Sequence, residues 1–168
     1  MCATDTGQAV RELSDAGQAV RELSDAGQVV RRMIDAGMTQ GDLDAAIAAY
    51  DPDLDYHNRM LETMPGMPPG PEIMRSMIAM TRSAFPDLVY TIDELVTEGD
   101  RVAVLYTWTG THTGPMAGLP PTGRRVTATG AIFCRVANGR IVEQWDVDDR
   151  FDVMQQLGLL PATPSEMT

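Results

Sequence analysis

Apolar residues follow two different rhythms along this chain, and the change from one to the other divides it. Between Val29 and Ala84 they recur every three or four positions, the spacing of a helix with one buried stripe. Val30, Met33, Ile34 and Gly37 form the first such stripe. Thr39 and Asp42 match an N-cap and its third-position acid ahead of a second short helix bearing Leu43, Ala46, Ile47 and Tyr50. Asp51-Pro52 stops that helix, and Asp53 to Arg59 reads as a short strand or turn carrying Tyr56, His57 and Asn58. Met60 to Pro71 is rich in Met, Pro and Gly and reads as a loop. Pro71 suits the first turn of a third helix, with Ile73, Met74, Met77, Ile78 and Ala84 inward, ended by Phe85-Pro86-Asp87.

Beyond Leu88 the period drops to two. Leu88 to Glu98 and Arg101 to His112 alternate about Gly99-Asp100 as a hairpin, with Val102, Val104, Tyr106, Trp108 and His112 on one face. Thr113 to Gly123 is a Pro/Gly loop, Arg124 to Val136 a further strand, and Phe151 to Leu157 a closing helix capped by Gly158. Helices first and a bent, mostly antiparallel sheet afterwards predict an α+β fold, a half-open barrel packed on helices.

Asn138-Gly139 is a strong hairpin signal, and the hairpin it makes places Asp146 mid-strand. A type I turn with Gly139 as a bulge residue pairs Ile132 with Gln144 and Gly130 with Asp146; a tight two-residue turn pairs Asp146 with Ala131 instead. In the first register Asp146 faces a residue without a side chain, beside Ile132, Cys134 and Val142. A carboxyl in such an apolar space has its charged form desolvated, which raises its pKa and makes it a proton donor near neutral pH. The competing reading is an edge-strand carboxylate facing solvent or an Arg. Tyr56 and Tyr106 are candidate hydrogen-bond donors to a developing oxyanion. His112 either accepts a proton and orients Asp146 or pins the Thr113 to Gly123 loop. Trp108 and Tyr106 serve as ligand contacts or as core. Asn58, with His57, lies beside a turn and suits backbone capping or the pocket rim, and Gln144 joins Gly130, Ile132 and Cys134 in the pocket lining. Asp148, Asp149 and Asp152 read as caps of the last helix. Trp145, with Phe133 and Ile141, reads as an outward apolar face suited to a homodimer contact.

Composition narrows the chemistry. A formal net charge of -11 disfavours nucleic acid and anionic membranes as partners. All 13 basic residues are Arg, which excludes Schiff-base and phosphate-loop lysine chemistry. Cys2 and Cys134 offer neither a disulfide framework nor a zinc spacing, so no metal is expected. No apolar run reaches the ~18 residues of a membrane span and no signal peptide is evident, which predicts a cytoplasmic protein. Near the N-terminus Gly7 to Ala16 recurs identically as Gly17 to Ala26, and a diverged copy runs from Gly27 to Ala36. A ten-residue period turns a helical stripe by about 80° per copy, so the copies share no fixed face. Residues 1–26 therefore read as a repetitive extension, and 27–168 as a single domain.

The succession Phe85-Pro86-Asp87, Thr109-Gly110-Thr111-His112-Thr113-Gly114, Leu119-Pro120-Pro121-Thr122-Gly123-Arg124, Asn138 to Asp146 and Gln155-Gln156-Leu157-Gly158 resembles the SnoaL-like polyketide cyclases, within the cone-shaped superfold of nuclear transport factor two and ketosteroid isomerase. The resemblance covers Val29 to Pro161. It implies a cofactor-independent enzyme that closes a ring in a small hydrophobic polyketide-type substrate, with a strand carboxylate, at Asp146 here, as general acid/base. Relatives that open an epoxide to form a pyran use a Tyr, a His and an acid, which would fall near Tyr56, His112 and Asp146. Aldol cyclases carry a Gln and a His beside the acid, where this chain has Gly130 and Ile132. Three functions follow as expectations: an intramolecular cyclase, an epoxide-opening cyclase or hydrolase, and a non-catalytic ligand-binding or dimerisation module.

Overall fold

The computed structural model describes residues 24–58, 66–116 and 118–160. Residues 1–23, most of the 1–26 extension, lie outside the described residues. Ser24 to Ala26, its last three residues, begin the first helix, α1 (Asp25–Met33), whose N-cap Ser24 accepts a hydrogen bond from the Gly27 amide. The chain continues as a π-helical stretch (Ile34–Gln40) and, after Gly41, α2 (Leu43–Ala48). Asp42, not Thr39, caps α2, accepting from the Ala45 amide at 2.9 Å. Thr39 lies in the π-helical stretch, where its hydroxyl bonds the Tyr90 backbone.

Tyr50 was expected on the second helix but opens β1 (Tyr50–His57). The residues near Pro52 are biased away from helical dihedrals, so the helix ends two residues sooner and Asp51-Pro52 is drawn into the strand. The third helix, α3 (Pro71–Ala84), matches the expected bounds and buries Ile73, Met74, Ile78 and Ala84.

Four long strands follow: β2 (Val89–Glu98), β3 (Arg101–Thr111), β4 (Arg125–Ala137) and β5 (Arg140–Asp148), with α4 (Arg150–Gln156) after them. The sheet order is β1-β5-β4-β3-β2, antiparallel except for β1, which lies parallel to β5. The sheet is not closed, since β1 and β2 are its two edges. Its inner face carries Val102, Val104, Tyr106, Trp108, Val126, Ala128, Ile132 and Cys134, all buried in one core with α1 and α3. Strict alternation on β3 and β4 places these side chains inward by the two-residue period.

The Asn138-Gly139 hairpin departs from both expected registers. Ala137 pairs with Arg140 across a two-residue turn in which Asn138 and Gly139 both have positive φ, as a type I′ turn requires. Val136 then pairs with Ile141 but Arg135 with Glu143, leaving Val142 as an extra residue. This bulge moves every later pair by one, so Asp146 faces Ile132, neither Gly130 nor Ala131. It also reverses the alternation, and Ile141, expected on the outer face, is fully buried. Gly130 faces Asp148 instead.

Candidate active site

Asp146 stands on the inner face of β5, half-buried, with both carboxylate oxygens engaged. Tyr56, carried by β1 alongside Gln144, donates its hydroxyl to Asp146 Oδ2 at 2.5 Å. Gln144, two residues back on the same face, donates from Nε2 to Oδ1 at 2.8 Å. Asn58 Nδ2 donates to Tyr56 Oη at 3.2 Å, and the buried Tyr50 donates to Gln144 Oε1 at 3.0 Å. A chain of side chains thus runs from β1 onto one carboxyl group.

Two effects compete at that carboxyl. Burial disfavours the anion, while the bonds from Tyr56 and Gln144 favour it. Burial is the larger, and the Asp146 pKa is raised to about 6. Burial, with the neighbouring Asp146, pushes the Tyr56 phenol far above its ordinary value, so Tyr56 keeps its proton and acts as a donor. The arrangement suits a group that takes up and returns a proton near neutral pH.

A second carboxylate lies two residues on. Asp148 accepts from Tyr106 Oη at 2.7 Å on Oδ1 and from Arg150 Nη2 at 3.1 Å on Oδ2. Asp149, not Asp148, caps α4, accepting from the Asp152 amide, and Asp152 accepts from Gln156 Nε2 at 2.6 Å. Tyr106 was expected to offer its hydroxyl to an oxyanion, but that proton is directed to Asp148. The buried Tyr106 ring packs 5.0 Å from Tyr90.

The structure brings together Asp146, Tyr56, Asn58 and Gln144. Ile132 faces Asp146 across the ladder, and Cys134 directs its thiol toward Gln144 Oε1 at 3.7 Å. Trp108 packs edge-on against Phe85, and Gly130 lies under Tyr106. His112 is placed elsewhere: fully buried, with Nδ1 3.1 Å from Thr122 Oγ1 and accepting from the Thr122 amide, its ring against Phe85. Val104 lies level with Ile132 and Asp146, and His112 comes eight residues further along, about 26 Å of extended chain. No hydrogen bond joins His112 to the Asp146 group among the described residues, and its Nε2 has no partner there. Tyr50, bonded to Gln144, and Asp148, bonded to Tyr106, are site residues beyond those the sequence pointed to. The two-residue period shared with Asp146 was the available signal for Asp148, and the nearby Pro52 was the signal for Tyr50.

Among the described residues one group has metal-ligand composition, Asp55, His57 and Glu143, with donor atoms within 4.8 Å of one another. Arg135 Nε stands 3.1 Å from Glu143 and Arg101 Nη1 stands 3.9 Å away, so cationic partners already occupy this carboxylate. His57 stacks flat on Trp145, centroids 4.6 Å apart.

Residues 28–157 match the family model of the SnoaL-like polyketide cyclases. The fold is similar to that of AclR from Streptomyces galilaeus, a candidate hydroxylase (29% identity over 82% of this chain and 98% of that one, TM-score 0.71). TsrD from Streptomyces laurentii is 30% identical over 83% of this chain and 100% of its own, TM-score 0.71. IdmH from Streptomyces antibioticus, a candidate polyketide cyclase, is 31% identical over 80% and 99%, TM-score 0.70. No curated protein matches the chain.

Proposed function

The chain belongs to the SnoaL-like polyketide cyclase family, and on that premise we propose that it closes a ring within a small hydrophobic polyketide-type substrate, with Asp146 as general acid/base and no cofactor. The observation that carries the proposal is the Asp146 carboxyl, gripped at 2.5 Å by Tyr56 and raised to about 6. As the carboxylate it takes the proton from the carbon between two carbonyl groups. The resulting enolate attacks a third carbonyl of the same molecule, a carbon–carbon bond forms as that C=O π bond breaks, and the new alkoxide recovers the proton from Asp146. Atoms and charge balance without an external reagent. Tyr56 and Gln144 hold the carboxyl in place, and a substrate bound against it in a folded conformation is set for attack.

Epoxide opening calls for the same acid, but the Tyr, His and acid trio that supports it is not assembled, because His112 is turned to Thr122. The protein is offered an aromatic β-keto methyl ester that carries a further ketone placed for ring closure and, separately, an epoxide bearing an internal hydroxyl. A carbocycle from the first, lost in Asp146→Asn, is the expected result; turnover of the epoxide alone overturns the aldol assignment.

The outer face of the sheet supports a homodimer. Phe133 and Val147 are 48% and 59% exposed, beside Leu105 and Val96, an apolar row on the side away from Asp146. None of the described helices is long and apolar enough to cross a membrane, and the net charge of -11 disfavours anionic membranes and nucleic acid as partners.

A further inference from the structure

Asp146 is surrounded from every side by groups that titrate. Tyr50 and Tyr56 face it from β1, Cys134 from β4, Tyr106 from β3 and Tyr90 from β2, with Asp148 on its own strand and Arg150 at the start of α4. Burial raises the four tyrosines and the cysteine, so all five stay neutral at working pH. Asp148 and Arg150 are therefore the charges that act on Asp146.

Both carboxylate oxygens of Asp148, at the end of β5, are engaged. Tyr106 reaches it across Gly130, where any Cβ would overlap the phenol oxygen and ring. A residue with a side chain at position 130 would evict Tyr106, so the glycine and the tyrosine act as one unit. Arg150 closes the other oxygen. The carboxylate is fixed on the same face as Asp146, one strand repeat away, about 7 Å along the backbone.

We propose that Asp148 is a positioning residue for the proton chemistry at Asp146: fixed by Tyr106 over Gly130 and closed by Arg150, it holds a carboxylate on the same face, one strand repeat from Asp146. This rests on the proposed role of Asp146, and it explains why the chain has a glycine at position 130. The charge raises the Asp146 midpoint by repulsion, and Arg150 lowers it by attraction, beneath the larger effects of burial, which raises it, and of the bonds from Tyr56 and Gln144, which lower it.

The test is a carboxyl ¹³C titration of Asp146 in the full chain without substrate, using the wild type, Asp148→Asn, Arg150→Gln and Gly130→Ala. Asp148→Asn is expected to lower the Asp146 midpoint by up to about one unit, the scale of interacting carboxylates. Arg150→Gln is expected to raise it. Gly130→Ala, which displaces Tyr106 and frees Asp148, is expected to shift it the same way as Asp148→Asn but less; Tyr106→Phe replaces it if the alanine variant does not fold. Opposite shifts in the first two variants cannot arise from a common loosening of the strand end. An unchanged midpoint in Asp148→Asn, or shifts of the same sign in both, overturns the proposal. Activity separates the two claims: if Asp146→Asn remains active the cyclase mechanism fails, whereas if it is inactive and the midpoints do not move, this inference alone fails.

Discussion

A single carboxyl group carries both the proposed chemistry and a cost to stability. Asp146 has an ordinary value of 3.8 and a folded value of about 6. Between them the folded protein holds the proton and the unfolded chain does not. The favourable term is complete below about pH 4 and is lost as pH rises through 6, roughly 3 kcal/mol in all. Asp146→Asn escapes this loss, so its melting temperature is expected to exceed that of the wild type at pH 8 and to match it near pH 4, as calorimetry would register. Equal melting temperatures at pH 8 would mean that the carboxyl is not desolvated. Tyr56→Phe removes the donor to Oδ2 while keeping the ring, and is expected to lower kcat about tenfold or more with little change in KM, since that bond fixes the acid and not the substrate. A rise in KM alone would place Tyr56 in substrate binding. Of these residues, Asp146 and Tyr56 were legible in the sequence. His112 was expected beside Asp146 or pinning the Thr113 to Gly123 loop; its neighbours are Thr122 and Phe85.

At the scale of elements, the motifs that made the family recognisable are largely scaffold. Asp87 accepts from the Thr111 amide at 2.6 Å and from its hydroxyl at 2.8 Å, tying the end of α3 to the end of β3, and these bonds hold its carboxyl below the usual range. Gln156 answers both backbone groups of Thr127, at 2.9 and 2.7 Å, and so fastens α4 to β4. Gly114 lies so close to Ser83 that a Cβ would overlap its carbonyl oxygen, while the Gly114 amide bonds Ala84. Gly114→Ala is expected to cost about 1–3 kcal/mol, seen as a lower thermal midpoint with the site chemistry unchanged. A neutral result would mean that the loop is free to lift from α3. Helix α3 and strands β3 and β4 were legible because their periods are unbroken, and β2 was legible as a strand although a bulge at Asp93 interrupts its alternation. The register of β5 was not, since Val142 adds one residue without any mark in the sequence: it is an ordinary β-former inside an ordinary strand. That one residue decides that Gly130 meets Asp148 and that Ile141 joins the core.

For the whole molecule, the half-open sheet leaves an inner face for the site and an outer face with an apolar row. Phe133→Glu is expected to convert the proposed homodimer into monomers in sedimentation velocity, with secondary structure intact; a monomeric wild type would remove that proposal. The first helix depends on Ser24, which supplies its cap. A chain beginning at Ser24 is therefore expected to keep fold and turnover, whereas one beginning at Gly27 lacks the cap, a difference of about 1 kcal/mol. Loss of turnover in the longer of the two would give the repeat a part in the site. The α+β class and the helix-then-sheet order followed from the change of period alone. The parallel placement of β1 beside β5, which delivers Tyr56 to Asp146, joins segments about ninety residues apart and has no local signature.

The pH dependence of kcat for ring closure, wild type against Asp146→Asn, tests the central claim most directly. The wild type is expected to show a titration near pH 6 in kcat, and Asp146→Asn to lose at least the ~100-fold that a general acid/base supplies, together with that titration. A variant that keeps more than about a tenth of the wild-type rate, or a wild-type profile that is flat between pH 5 and 7, would contradict Asp146 as the group that moves the proton.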